Sequence, residues 1–181
     1  MTSTRFSKVI AGTVLIGSLV GAGTGFALAQ DEEAPVGPSH PAHIHAGTCA
    51  DFDPNPVAPL TNVEQRLNED EEDNAPQGIL TAAKVLYSES DDVELSFEDD
   101  VLATSHVIAV HESEENIQNY IACADIGGVL VDGDLAVSLQ PLNDSGYTGI
   151  ALLDADDNGQ IDVEIYLAEP VSTEPAATPA A

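Results

Sequence analysis

The chain has 181 residues, with 32 acidic side chains against four lysines and arginines, a formal net charge of −28 and only two cysteines. A surface of that sign repels polyanions, which excludes nucleic acid and anionic membrane as partners. The 43% of hydrophobic residues is enough for a packed core.

The first thirty residues open with Arg5 and Lys8, run through an apolar stretch from Val9 to Phe26, and end in Ala27-Leu28-Ala29 before Gln30. A short basic region, an apolar region and a small-x-small ending mark a secretory signal peptide, so residues 1–29 are expected to be a leader cleaved near Ala29. The remainder is then exported, secreted or periplasmic. Loss of the leader's two bases lowers the formal charge from −28 to −30. Residues 30–39 are too polar and too short for strands and read as a linker, and residues 40–169 suffice for one domain with one core.

Within that domain short runs of β-branched or alternating apolar residues recur between Gly, Pro, Asn and Asp clusters. They are Ala42–Ala46, Ile79–Tyr87, Val93–Phe97, His106–His111, Tyr120–Ile126, Leu135–Leu139, Tyr147–Leu153 and Ile161–Leu167. Eight such strands predict an all-β sandwich or barrel. Only Glu112–Asn119, behind Ser113 as a cap, has the composition of a helical turn or two. The acidic runs at 69–73, 91–92, 98–100 and 112–115 read as a solvated surface that keeps the protein soluble and monomeric. The final stretch, 170–181, has three prolines and no apolar periodicity and is expected to be disordered.

All but one of the histidines and both cysteines fall into two groups: His40-Pro-Ala-His43-Ile-His45-Ala-Gly-Thr-Cys49, and His111 with Cys123. Side chains alternate along a strand, so His43 and His45 share a face while Ala42, Ile44 and Ala46 take the other. That is a two-toothed chelate. His111 ends the apolar run Val107-Ile-Ala-Val110, and beside the first strand it would add a third imidazole, a set that suits copper or zinc. His40 and His106 have the opposite parity to their neighbours and read as structural histidines. His106 as a fourth ligand is disfavoured because it faces away from His111.

These residues resemble the copper/zinc superoxide dismutase family, which has a His-Gly-Phe-His-Val-His strand, a cysteine shortly after it, a Val-Val-His strand and an Arg-x-Ala-Cys-Gly-x-Ile segment. The matching positions are His40, His43, His45, Cys49, Val110-His111 and Ala122-Cys123-Ala-Asp-Ile126. The resemblance implies a Greek-key β-sandwich or barrel, copper ligands at His43, His45 and His111, a Cys49–Cys123 disulfide and a structural His40. Two cysteines in an oxidising compartment also read as one disulfide. The Ala-His-Ile-His piece is similar to the chordin-type repeat as well, a related secreted fold without established catalysis.

Residues 50–105 contain no histidine, so the family's bridging histidine and zinc ligands have no counterpart and no second metal is expected. The family's anion-orienting arginine falls at Tyr120. Glu112, Glu114 and Glu115 surround His111, and only Arg66 and Lys84 remain as bases after the leader, so the field repels superoxide. The hairpin that precedes the His-x-His strand in that family has no room here. Strands of similar look follow Cys123 instead, which suggests a circularly permuted fold.

Asp154, Asp156, Asn158 and Asp162, with Gly159 at position six, fit most of a calcium loop, but position twelve is Ile165. A hairpin turning at Asn158-Gly159 is the better reading. The expected protein is an exported, acidic copper-binding or copper-buffering β-sandwich, with zinc as the other metal. The alternatives are a weak copper-only superoxide dismutase and a non-metal extracellular interaction module of chordin type. A catalytic residue is not assigned.

Overall fold

The computed structural model describes residues 37–67, 79, 82–156 and 158–171. The expected leader, most of the linker, the acidic run 69–73, Asp157 and residues 172–181 lie outside the described residues. Eight strands follow one another: β1 (Ser39–Thr48), β2 (Asp51–Gln65), β3 (Val85–Ser96), β4 (His106–His111), β5 (Tyr120–Asp125), β6 (Leu135–Pro141), β7 (Thr148–Ala155) and β8 (Gln160–Ala168). All neighbours are antiparallel, and the ring order β1-β2-β3-β8-β7-β6-β5-β4 closes into a barrel. Closure removes the free edges that an open sheet would expose.

Alternation builds the core. Ile161, Val163, Ile165 and Leu167 of β8 point inward and are buried, while the residues between them are half-exposed. Ala42 and Ile44 of β1, Ile108 and Val110 of β4, Val137 and Leu139 of β6 and Leu153 of β7 fill the same interior. β4 lies beside β1, so the first four strands stand in the spatial order 4-1-2-3 of a Greek key. Its long connection, 97–105, starts with a π-helical turn, Phe97–Val101, whose Phe97 and Val101 are buried against the core. Ser96 caps that turn by accepting from the Asp99 backbone N–H.

The strand count matches the expectation, but the set of strands differs in two places. β2 was not anticipated, because Pro54, Pro56 and Pro59 carry no N–H for a ladder and argue against a central strand. Here they are tolerated because β2 is central only in part: it meets β3 at Glu64–Tyr87 and Gln65–Leu86 and is otherwise bonded on its β1 side. Of the expected strands 79–87 and 93–97, the parts 85–87 and 93–96 belong to one strand, β3, interrupted by a register shift between Ser90 and Val93 with Asp92 at φ 53°. Residues 82–84 are not strand, Phe97 opens the π-helical turn, and residues 80 and 81 lie outside the described residues. That bulge disguises a single strand as two. Residues 112–119 form turns between β4 and β5 rather than a helix.

Candidate metal centre

β1 and β4 pair with His43 opposite Ala109 and His45 opposite Val107, both of which are fully buried. Because Ala42 and Ile44 face the core, His43 and His45 stand on the outer wall of the barrel over this small apolar floor. His111, at the end of β4, shares the face of Val107 and Ala109 and so stands alongside His43 and His45. One nitrogen from each of His43, His45 and His111 lies within 4.8 Å of the other two.

Hydrogen bonds decide which nitrogens these are. His45 Nδ1 lies 2.8 Å from the Asp53 carbonyl, which only accepts, so Nδ1 carries the proton and Nε2 keeps a lone pair. His111 Nδ1 donates in the same way to the Ile117 carbonyl, leaving its Nε2 as an acceptor. His43 Nδ1 lies 2.8 Å from His111 Nε2 and must therefore be the donor of that pair. A metal taking all three needs His43 to move its proton from Nδ1 to Nε2, a tautomer change without ionisation. The other two lone pairs are already set, and His45 Nε2 is buried with no partner among the described residues. Ring nitrogens held by backbone carbonyls on their far side are the usual outer support of a metal ligand.

Electrostatics keep the set neutral. Burial, then the neighbouring imidazoles of His111 and His45, hold His43 below the ordinary value of 6.5, against the pull of Glu114. Burial lowers His45, opposed by its bond to the Asp53 backbone and by the Asp53 carboxylate. His111 is lowered by burial too, with its bond to Ile117 opposing. Three uncharged imidazoles at neutral pH need not lose a charge to bind a metal; only the proton on His43 Nδ1 has to shift to its other nitrogen.

Aromatic rings wall one side. The Tyr120 ring lies 4.6 Å from that of His111, and Phe52 lies 5.2 Å from His45 and 4.9 Å from Tyr120. Phe52 and the carbonyls of Asp53 and Ile117 were not legible beforehand. A backbone acceptor has no side-chain signature, and both carbonyls come from segments whose course the strand pattern does not fix.

The other expected residues fall elsewhere. His40 Nδ1 donates to the Glu112 carbonyl at 2.7 Å and the ring packs edge-on against Tyr147 at 5.2 Å, in keeping with a structural role. His106 is buried and turned to the Thr104 carbonyl, 3.2 Å from Nδ1, away from the three-histidine group. Cys49 and Cys123 form a disulfide, linking the β1–β2 turn to β5 across the edge of β4. The Cys49 backbone N–H donates to Asp125 Oδ1 at 2.8 Å, and Gly47, at φ 119°, leaves no room for a Cβ, which would stand 2.6 Å from the Asp51 carbonyl oxygen. Residues 154–162 make the β7–β8 hairpin, where Asp156 Oδ1 accepts from the backbone N–H groups of Asn158 and Gln160, while Asp162 Oδ1 accepts from the Asp92 backbone. Ile165, at the twelfth position, is buried in the core.

Comparison with known proteins finds no matching family model, no matching curated protein and no matching solved structure.

Proposed function

We propose that the protein is an exported copper-binding protein that holds one copper ion through His43 Nδ1, His45 Nε2 and His111 Nε2 and serves to bind or buffer the metal. The observation that carries this reading is the convergence of three neutral imidazoles, two of them with their outer nitrogens tied to backbone carbonyls. Copper is preferred to zinc on the resemblance of the ligand residues to the copper/zinc superoxide dismutase family. The disulfide supports an oxidising, extracytoplasmic location.

Copper held this way supplies one-electron redox chemistry. The chain's own residues work against using it on an anion. Tyr120 stands beside His111 where the dismutase family has its arginine. The Glu114 carboxylate is near enough to act on both His43 and His111. Neither base outside the leader serves the site: Arg66 is stacked 4.5 Å over Tyr87 of β3, and Lys84 adjoins the start of β3. A binder or buffer needs only the ligands, which are present. Weak superoxide dismutation is the second reading; it rests on the resemblance of the ligand residues, and the ring order, with the β6-β7-β8 meander between β5 and β3, is the one a circular permutation of that fold would have. A non-metal interaction module is the third. Titration of the metal-free protein with copper separates binder from module, and superoxide consumption by the loaded protein separates binder from enzyme.

A further inference from the structure

Three consecutive large apolar side chains stand in solvent on the β5–β6 connection: Val129 is 82% exposed, Leu130 44% and Val131 66%. Exposed apolar residues are ordinary when scattered, whereas a contiguous run marks a contact surface. This run is held out by its backbone. Asp132 at φ 58° and Gly133 at φ 104° form a tight turn closed by reciprocal Val131–Asp134 backbone bonds of 2.9 and 3.0 Å, a hairpin geometry that fixes the direction of Val131.

Val129 and Val131 form one wall of a cleft of about 390 Å³. Its floor is the outer face of the barrel, where Ala136 of β6 stands opposite Leu152 of β7. Two residues along β7 the apolar strip continues in Ile150, 47% exposed. The rim is acidic on every side, with Asp132 and Asp134 on the hairpin, and Asp154 and Glu164 on β7 and β8. The crowding is felt by Asp154, whose carboxyl is pushed up by burial and then by Asp162, Asp134, Glu164 and Asp91. Among the described residues no base lines the cleft.

We propose that this cleft docks an extended segment of a partner polypeptide in which lysine or arginine alternates with apolar residues. An extended chain repeats its side chains every two residues, the same spacing that separates Leu152 from Ile150, so alternate apolar side chains can follow the strip. Lysine and arginine stems lie along apolar surface while their charged ends reach the carboxylate rim. The charge of the rim selects such a partner and speeds its approach. A second copy of this chain cannot supply the segment, since its bases beyond the leader are Arg66 and Lys84 alone.

The test is an NMR titration of the isotope-labelled protein with a synthetic peptide of alternating lysine and valine, and separately with spermine, which carries the charge without the apolar side chains. The peptide is expected to saturate, with shifts confined to residues 127–136, 150–154 and 164. Val131→Ser, at an exposed position, is expected to weaken it about tenfold with an unchanged melting temperature, and Asp134→Asn to weaken it as well. Spermine is expected to bind at least about tenfold more weakly than the peptide. Absence of saturable shifts, equal affinity for peptide and spermine, or full affinity in Val131→Ser would overturn the proposal.

Discussion

His43 Nδ1 and His111 Nε2 are 2.8 Å apart, and the bond that His111 makes to the Ile117 carbonyl dictates that the proton between them belongs to His43. The metal-free site is therefore a hydrogen-bonded cluster of neutral rings with one movable proton. Because burial lowers the pKa of all three histidines below 6.5, the unfolded chain takes up protons that the folded chain refuses between the two values. Metal-free stability is then flat above pH 6.5 and falls as the pH drops through that window.

Melting temperatures of the metal-free protein between pH 7.5 and 5.5 are expected to decline with acidification, and a variant with all three histidines replaced by glutamine to lose that decline. Asp92 and Asp154, whose carboxyls are raised chiefly by contact with Asp156 and by burial respectively, act with the opposite sign. Parallel curves for the two proteins would show that the histidines are not held neutral by the fold.

The disulfide joins cysteines 74 positions apart. On the chain-entropy account, closing a loop of that length stabilises the fold by about 4.5 kcal/mol. The denatured, unreduced protein is expected to show no free thiol, and reduction to lower the unfolding free energy by several kcal/mol. Reduction also frees the β1–β2 turn that precedes Asp53 and is expected to weaken metal binding. Two titratable thiols in the unreduced protein would contradict the structure.

In the β7–β8 turn the Asp156 carboxylate accepts from the Asn158 and Gln160 backbone N–H groups, Asp162 accepts from the Asp92 backbone, and the twelfth position of the loop is a core isoleucine. Calcium at millimolar concentration is expected to leave the melting temperature unchanged. Asp154→Asn is expected to raise it at pH 7, by removing a carboxylate that its neighbours and burial disfavour. A calcium-dependent rise abolished by Asp154→Ala would assign the loop to calcium instead.

The ligand set was legible because two physical rules act locally. Strand alternation fixed the shared face of His43 and His45, and the apolar run ending in His111 announced β4 with the bounds the structure gives it. Both disulfide partners followed from their number and the expected compartment. What was hidden depends on distant parts of the chain. No strand is expected over residues 51–65, where Pro54, Pro56 and Pro59 interrupt the ladder pattern, and the partial separation of β2 from β3 explains why a strand tolerates them. The bulge at Asp92 divided β3 in the pattern of the sequence, and the Asp53 and Ile117 carbonyls that orient the ligands are backbone atoms without any pattern at all.

Superoxide consumption by the copper-loaded protein is expected to be slow and to rise with ionic strength. Salt screens the repulsion between an anion and a chain of formal charge −28, the reverse of the behaviour of a site that steers anions inward. Tyr120→Arg is expected to increase the rate and flatten its salt dependence. A rate near the diffusion limit that falls with salt would make the protein an enzyme rather than a binder.

Copper affinity by chelator competition, for the parent and for His43→Ala, tests the account most directly, with circular dichroism to establish that the variant keeps the fold. The parent is expected to bind one copper(II) per chain, and loss of the one ligand that must change tautomer is expected to weaken it by about 100-fold or more. Unchanged copper binding by folded His43→Ala would contradict the three-histidine site.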